Sequence, residues 1–319
     1  MACSYGGQAL IEGVMMRGKH TQAMCARLED GRIVSEVEEF TLLSQRNKFL
    51  GLPLVRGVCS MIDSLISGMQ AIVWSTNVSL AEDEEEEELS PMEIAVTLII
   101  SLGLGVLLFF LLPVVIAHFL QPLIPGNFLQ NIFEGIVRVG VFLLYLVLIT
   151  RMKEIRRVFQ YHGAEHKTIH CYEAGEELTP ENAMKHTRLH PRCGTSFLFI
   201  VMVISIFVFA LVGVENFAWR LLSRVILLPV IAGVSYEVLR FCGKHMDKAW
   251  VRAIAWPGMQ LQRLTTAEPD RSMLEVAIHS LQKVRAREED PALDPDKADN
   301  GAVALANLND KKLELLVPQ

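Results

Sequence analysis

Four long apolar runs constrain this chain more than any other feature. They cover residues 94–118, 132–150, 197–214 and 221–241. Each approaches the ~20 residues that a helix needs to cross ~30 Å of hydrocarbon. A helix is the segment that satisfies its own backbone hydrogen bonds there, so the runs predict a membrane α-helical protein with four transmembrane helices. Helices buried in a soluble core would leave the length of the runs unexplained.

Basic residues orient the spans. No Lys or Arg occurs from Phe119 through Gly135, whereas Arg151, Lys153, Arg156, Arg157, Lys167, Lys185, Arg188 and Arg192 follow the second run. Arg240, Lys244, Lys248 and Arg252 accompany the end of the last. The positive-inside rule therefore predicts a cytoplasmic loop between the second and third spans, with both termini also cytoplasmic, in a bacterial inner membrane. Arg138 and Arg224 fall towards the outer helix ends, where snorkelling, or an i,i+4 pair of Arg138 with Glu134, accommodates them.

The net charge of −6 resides mainly in the run Glu82–Glu88 and an acidic tail, which reads as a solvated linker. The basic residues map to topology and form no aromatic-lined groove, so no nucleic-acid partner is expected. The six cysteines, Cys3, Cys25, Cys59, Cys171, Cys193 and Cys242, include no CxxC pair and predict reduced thiols.

Between and around the spans, seven segments are expected. Residues 1–50 alternate in β fashion about an Asp30-Gly31 turn and predict a small β-rich cytoplasmic domain. Residues 51–93 hold an amphipathic interfacial helix over 53–74 and the acidic linker. Residues 94–150 carry spans one and two, 151–196 a cytoplasmic His/Cys segment, and 197–241 spans three and four. Residues 242–286 form a cytoplasmic segment with a helix near 272–286, and 287–319 a disordered acidic tail.

The chemistry concentrates at Tyr161-His162-Gly163-Ala164-Glu165-His166-Lys167-Thr168-Ile169-His170-Cys171-Tyr172-Glu173 and at His190-Pro191-Arg192-Cys193-Gly194-Thr195. On a helix His162 and His166 stand one turn apart on one face and can share an ion. The order H-x-x-E-H is that of inverted zincins, with Glu165 as general base. His170 lies ~12 Å along the axis from His162, too far for the same ion. The remaining ligands come either from Glu173, if the helix stops near Gly175, or from His190 and Cys193, carried back by the 174–189 loop. His162, His166, His190 and Cys193 together would close a structural site, whereas three protein ligands would leave a place for water.

Four phrases, GGQALIEGVMMRG (6–18), FQYHGAEHKTIHCYE (159–173), HPRCGTSF (190–197) and PGMQLQRLTTAEPD (257–270), resemble the YqhQ-type family of bacterial membrane proteins of unknown function. The resemblance implies a metal-dependent enzyme and supports His162, Glu165, His166, His190 and Cys193 as the positions of interest. In the first phrase Gly6, Gly7, Gly13 and Gly18 indicate tight turns or close approach, and Gln8, Glu12 and Arg17 are its polar candidates for a ligand pocket. In the last, Thr266 reads as the cap of a helix start.

Two functions compete. One is a hydrolase with a divalent metal, zinc by its donor set, acting at the cytoplasmic membrane face on a membrane-protein or lipid-linked substrate. The other is a non-enzymatic scaffold or assembly factor with a structural metal site. A transporter is disfavoured because charges sit near helix ends rather than at mid-span.

Overall fold

The computed structural model describes residues 5–80, 91–124, 126–211, 216–290 and 302–304. Strands β1 (Gly6–Leu10), β2 (Gly13–Arg17), β3 (Thr21–Arg27) and β4 (Ile33–Glu39) form an antiparallel meander in chain order. A short strand, β5 (Ala302–Ala304), adds parallel to β4. The Asp30-Gly31 turn joins β3 to β4. Gly31 takes φ +88°, a conformation that suits glycine, and Asp30 Oδ1 accepts the Arg32 N–H at 2.9 Å.

The sheet is covered on both faces. Period-two alternation sends Leu10, Met15, Met24 and Val34 to one side, where they pack with Ala71, Trp74 and Val78. Val14, Met16, Ala23, Cys25 and Ile33 face the other side and join a core drawn from the His segment and the C-terminal helix.

A short helix, α1 (Leu43–Arg46), precedes α2 (Val55–Leu80), which is longer than the helix expected over 53–74. Its buried positions Ser67, Gly68, Ala71, Trp74, Ser75 and Val78 recur at three and four residues and lie against the sheet. Met61, Ile62, Leu65 and Ile66 remain exposed. Near its start, Arg56 pairs with Glu237 of the last long apolar helix, with contacts of 2.6 and 2.7 Å. The acidic linker falls on residues 81–90, outside the described residues.

Next comes α3 (Pro91–Val106), which passes through a π-helical turn at Leu107–Leu111 into α4 (Leu112–Phe119). Helix α5 (Asn127–Ile149) is followed after a three-residue break by α6 (Lys153–Glu173). A return loop contains α7 (Pro180–Met184) and leads to α8 (Gly194–Ala210). Then follow α9 (Phe217–Ile226) and α10 (Leu228–Lys244), and finally α11 (Ala249–Thr265) and α12 (Arg271–Glu289).

Among the described residues, four helices are long and apolar enough to cross a membrane: Val55–Leu80, Ala95–Phe119, Phe128–Ile149 and Leu221–Lys244. Three coincide with expected spans. The run at 197–214 forms a shorter apolar helix, Gly194–Ala210, and 212–215 lie outside the described residues. Val55–Leu80 enters the set because its apolar residues serve two surfaces, the sheet on one side and an open face on the other.

Two readings of polar residues are corrected. Arg224 does not snorkel outwards. It is fully buried, its guanidinium on Glu134 at 2.9 and 3.0 Å and on Asn131 at 2.6 Å. Arg138 makes the expected i,i+4 contact with the same Glu134 at 2.9 Å. A carboxylate among apolar helices is tolerated only with charged partners, and Glu134 draws both arginines inwards. Thr266 does not start a helix; it closes α11, its hydroxyl donating to Gln262 O at 2.7 Å. The α12 N-cap is Asp270, which accepts the Met273 N–H at 3.0 Å. The expected tail from 287 begins as helix, which runs on to Glu289.

Candidate metal centre

Helix α6 presents His162 and His166 one turn apart, their ring centroids 4.4 Å from each other. Each ring is held from behind by a backbone carbonyl. His162 Nδ1 lies 2.8 Å from Thr265 O, and His166 Nδ1 lies 2.6 Å from Arg188 O. A carbonyl accepts only, so each Nδ1 carries the proton and each Nε2 offers a lone pair. Cys193 Sγ stands 3.2 Å from His162 Nε2. Ligand atoms of His162, His166 and Cys193 all lie within 4.8 Å of one another. That spacing suits one ion with zinc bonds of about 2.0–2.1 Å to nitrogen and about 2.3 Å to sulfur.

The backbone that makes this possible is set by local chemistry. Gly163 lets the chain after α11 cross α6 closely. A Cβ there would collide with Ala267 O, and Ala267 N donates to Phe159 O at 2.8 Å across the same crossing. Helix α6 stops where Gly175 takes φ +72°, with Gly175 N–H returning to Tyr172 O at 3.0 Å. The return loop is then fastened from inside. Buried Lys167 donates to Met184 O at 3.0 Å and His186 O at 2.8 Å and pairs with Glu268 at 3.0 Å. Gln262 accepts the His190 N–H and donates to His190 O, both at 2.8 Å. Gln262 and Thr265, taken from the sequence as parts of a helix start, instead lie in the last turns of α11, and the role of Lys167 was not foreseen. Two polar side chains at core-facing positions of helices, in 159–173 and 257–270, were the available signal.

Glu165 points into the same cavity, against the edge strand β1, where Gly7 leaves room for its carboxyl. Burial pushes this carboxyl up to about 7, opposed by the nearby His162 and by a hydrogen bond from the Gly7 N–H. Glu165 Oε2 has no hydrogen-bond partner among the described residues. Burial likewise lowers the His166 imidazole below its usual range, which favours the neutral, ligating form.

His190 stands apart from this trio. It groups instead with His170 and Glu173; its ring is 4.8 Å from that of His170 and 5.6 Å from that of His166. Glu173 is drawn down to about 2 by the neighbouring His190, 3.6 Å away, then by Arg192. The Arg192 guanidinium is seated on Glu173 Oε1, so this group forms an ion pair network of its own. Burial lowers the His190 imidazole below its usual range, and its Nε2 stands 3.6 Å from Glu173 Oε2. A third group, Cys171, Glu176 and His186, lies further along the loop. The five described cysteines Cys25, Cys59, Cys171, Cys193 and Cys242 are buried thiols outside any disulfide.

The N-terminal polar candidates divide. Gln8 and Arg17 line the cavity, and Gln8 also donates to Gly68 O at 3.3 Å. Glu12 faces elsewhere, paired with Arg157 and touched by Tyr161 Oη at 3.3 Å. Of the four glycines, Gly7, Gly13 and Gly18 have close neighbours that a Cβ would strike, whereas Gly6 has open space.

Comparison with known proteins then places the chain. Residues 52–287 match the family model described as Protein of unknown function (DUF1385). The chain belongs to the DUF1385 family. Among its relatives is Uncharacterized protein YqhQ of Bacillus subtilis (strain 168), 35% identical over 296 residues, covering 88% of this chain and 92% of that protein. No solved structure matches. The matched DUF1385 region contains the whole His/Cys centre and the helices of the bundle, and excludes β1 to β4. The YqhQ alignment is longer, 296 residues against the 236 of the family match.

Proposed function

We propose that this DUF1385 protein is a multi-pass protein of the bacterial inner membrane that carries a zinc-type hydrolytic centre on its cytoplasmic face. The observation that carries the centre is the pair of histidines, each with Nδ1 fixed by a carbonyl and Nε2 facing Cys193. Such backing orients metal-binding imidazoles and sets their tautomer. Three ligands leave one position of a tetrahedral ion open. Bound there, zinc supplies Lewis acidity and lowers the pKa of its water to about 7. Glu165 Oε2, unpartnered in the cavity, accepts the proton as the water oxygen adds to a carbonyl or phosphoryl centre. The same carboxyl then hands that proton to the departing oxygen or nitrogen as the old bond breaks.

The sidedness rests on one core. Strands β2 and β3, helix α6 and helix α12 share buried residues, so the N-terminal sheet and α12 lie on the side of α6. That parity agrees with two helical hairpins, α3–α4 with α5 and α8 with α9–α10, crossing the bilayer. It also agrees with α2 lying along the interface, its apolar face of Met61, Ile62, Leu65 and Ile66 turned to lipid.

Cobalt substitution tests the centre without knowledge of the substrate. Expected is one metal per chain with a thiolate-to-cobalt absorption band, absent in Cys193→Ser, and a visible spectrum that shifts when azide is added. Glu165→Gln should keep the metal and the band. Metal-free protein refutes the centre. A spectrum indifferent to azide means a closed site and returns the reading to a scaffold.

A further inference from the structure

The cavity beside the centre is built from two unlike halves. It encloses about 770 Å³, within the range of sites that take small organic ligands. One half is polar and contains His162, Glu165, His166, Cys193 and Thr195. The other is made by the ends of the bundle helices: Leu146 and Ile149 of α5, Phe197 and Leu198 of α8, and Leu239 of α10. These residues lie at the ends of their helices nearest α6, where the bundle meets the soluble layer. Ser60, Met61 and Ser64 of α2 complete the wall, next to that helix's exposed apolar face. A substrate from bulk water has no use for an apolar wall contributed by membrane helices, whereas a lipid chain has.

Arg17 supplies the second observation. Its guanidinium lines the cavity and stacks 3.9 Å from the centroid of Phe40. The nearest opposite charge is Asp63, which acts on Arg17 electrostatically but forms no ion pair with it and accepts the Leu43 N–H at 3.0 Å. Among the described residues the Arg17 guanidinium makes no hydrogen bond and no ion pair. A guanidinium has five N–H donors in a planar fork suited to phosphate oxygens. A half-buried one with every donor unspent is a binding group awaiting an anion.

We infer that the cavity takes a phosphate-bearing membrane lipid, its headgroup on Arg17 beside the histidine centre and the upper part of its chain among Leu146, Ile149, Phe197, Leu198 and Leu239. This rests on the reading of the cavity as the functional site and names the substrate class for it. The lipid enters from the cytoplasmic leaflet, and the rest of its chain stays in the bilayer.

Calorimetric titration of the zinc-loaded, full-length protein in detergent tests the inference with three probes: dioctanoyl phosphatidic acid, dioctanoylglycerol and inorganic phosphate. The phosphatidic acid should bind saturably at one per chain, and the other two at least tenfold more weakly. Arg17→Gln should lose tenfold or more of that affinity, Arg17→Lys less, and Leu198→Trp should lose it by filling the chain site. Zinc content should stay at the parent level in all three variants, which also checks that each is folded. Equal binding of phosphate and phosphatidic acid overturns the chain site, and unchanged affinity in Arg17→Gln overturns the headgroup site. A parent protein that holds zinc yet binds no phosphatidic acid refutes the substrate class and leaves the metal centre standing. A chain that never holds zinc refutes the centre, however the lipid behaves.

Discussion

Gly163→Ala isolates the crossing that ties the fold to the centre. The new Cβ would lie well over an ångström inside ordinary contact with Ala267 O, which is backbone and has no rotamer to escape into. Either α6 or the chain at 265–267 must move. Overpacking of this kind costs about 1–3 kcal/mol, and the Ala267 N–Phe159 O bond, if broken, costs about 0.5–1.5 kcal/mol more. The higher helix propensity of alanine returns about 1 kcal/mol. With both costs the net is a destabilisation of about 0.5–3.5 kcal/mol, which at roughly 2–4 °C per kcal/mol lowers Tm by about 1–14 °C. The same movement withdraws Thr265 O from His162 Nδ1, and loss of such backing weakens metal binding by about 10–100-fold. Thermal melting in detergent and zinc titration against a competing chelator measure the two effects. Gly6→Ala is the control, because nothing lies within 4 Å of a Cβ at that position. A Gly163→Ala protein that melts and binds zinc like the parent, or a Gly6→Ala protein equally damaged, would refute the reasoning.

Two other perturbations probe different parts of the molecule. Glu134→Ala strips the shared carboxylate from Arg138 and Arg224, whose side chains are 6% and 1% exposed; a broken buried pair costs about 3–5 kcal/mol, so the yield of folded protein and its Tm should drop while Lys153→Ala changes neither. Acid titration probes Glu173, whose carboxyl is depressed to about 2 from 4.5. A depressed carboxylate contributes stability that is present above its unfolded value and lost as pH falls towards its folded one. The parent should therefore lose Tm between pH 4.5 and 2 more steeply than Glu173→Gln does, and parallel curves would show that the carboxylate contributes nothing.

What the sequence disclosed follows from how local each determinant is. The runs at 94–118, 132–150 and 221–241 were legible because a helix long and apolar enough to cross a membrane shows it in its own composition, with an apolar side chain at nearly every position. The β3–β4 hairpin was legible because Asp30-Gly31 supplies its own turn chemistry. Helix α2 was legible as amphipathic, yet not the identity of what covers it. Ser67, Gly68 and Ser75 look polar or small in sequence and are buried because they let the helix approach the sheet. The inward turn of Arg224 was hidden for a similar reason: Asn131 and Glu134 lie 93 and 90 residues away. A snorkelling arginine and a buried one look alike until that distance is closed.

The centre obeys the same division. The spacing of His162 and His166 needs only the pitch of a helix, so it was visible at once. Which of His190 and Cys193 would join them depends on how the return loop is fastened, and the fasteners are Lys167 on the inner face of α6 and Gln262 on α11. Gln262 clamps the backbone of His190 and also donates to Ser196 Oγ at 2.8 Å, while the hydroxyls of Thr195 and Thr265 meet at 3.2 Å. These contacts bind the start of α8 to α11, and α11 in turn supplies the carbonyl behind His162. The centre thus sits on a seam: its histidines belong to the layered unit of sheet, α6 and α12, and its cysteine is the N-cap of an apolar bundle helix. A shift of α8 against α6 changes the distance between Cys193 and both rings. That is a physical reason for three phrases far apart in sequence, at 159–173, 190–197 and 257–270, to carry so many polar residues. Each supplies either a candidate ligand or the backing that fixes a candidate ligand supplied by another.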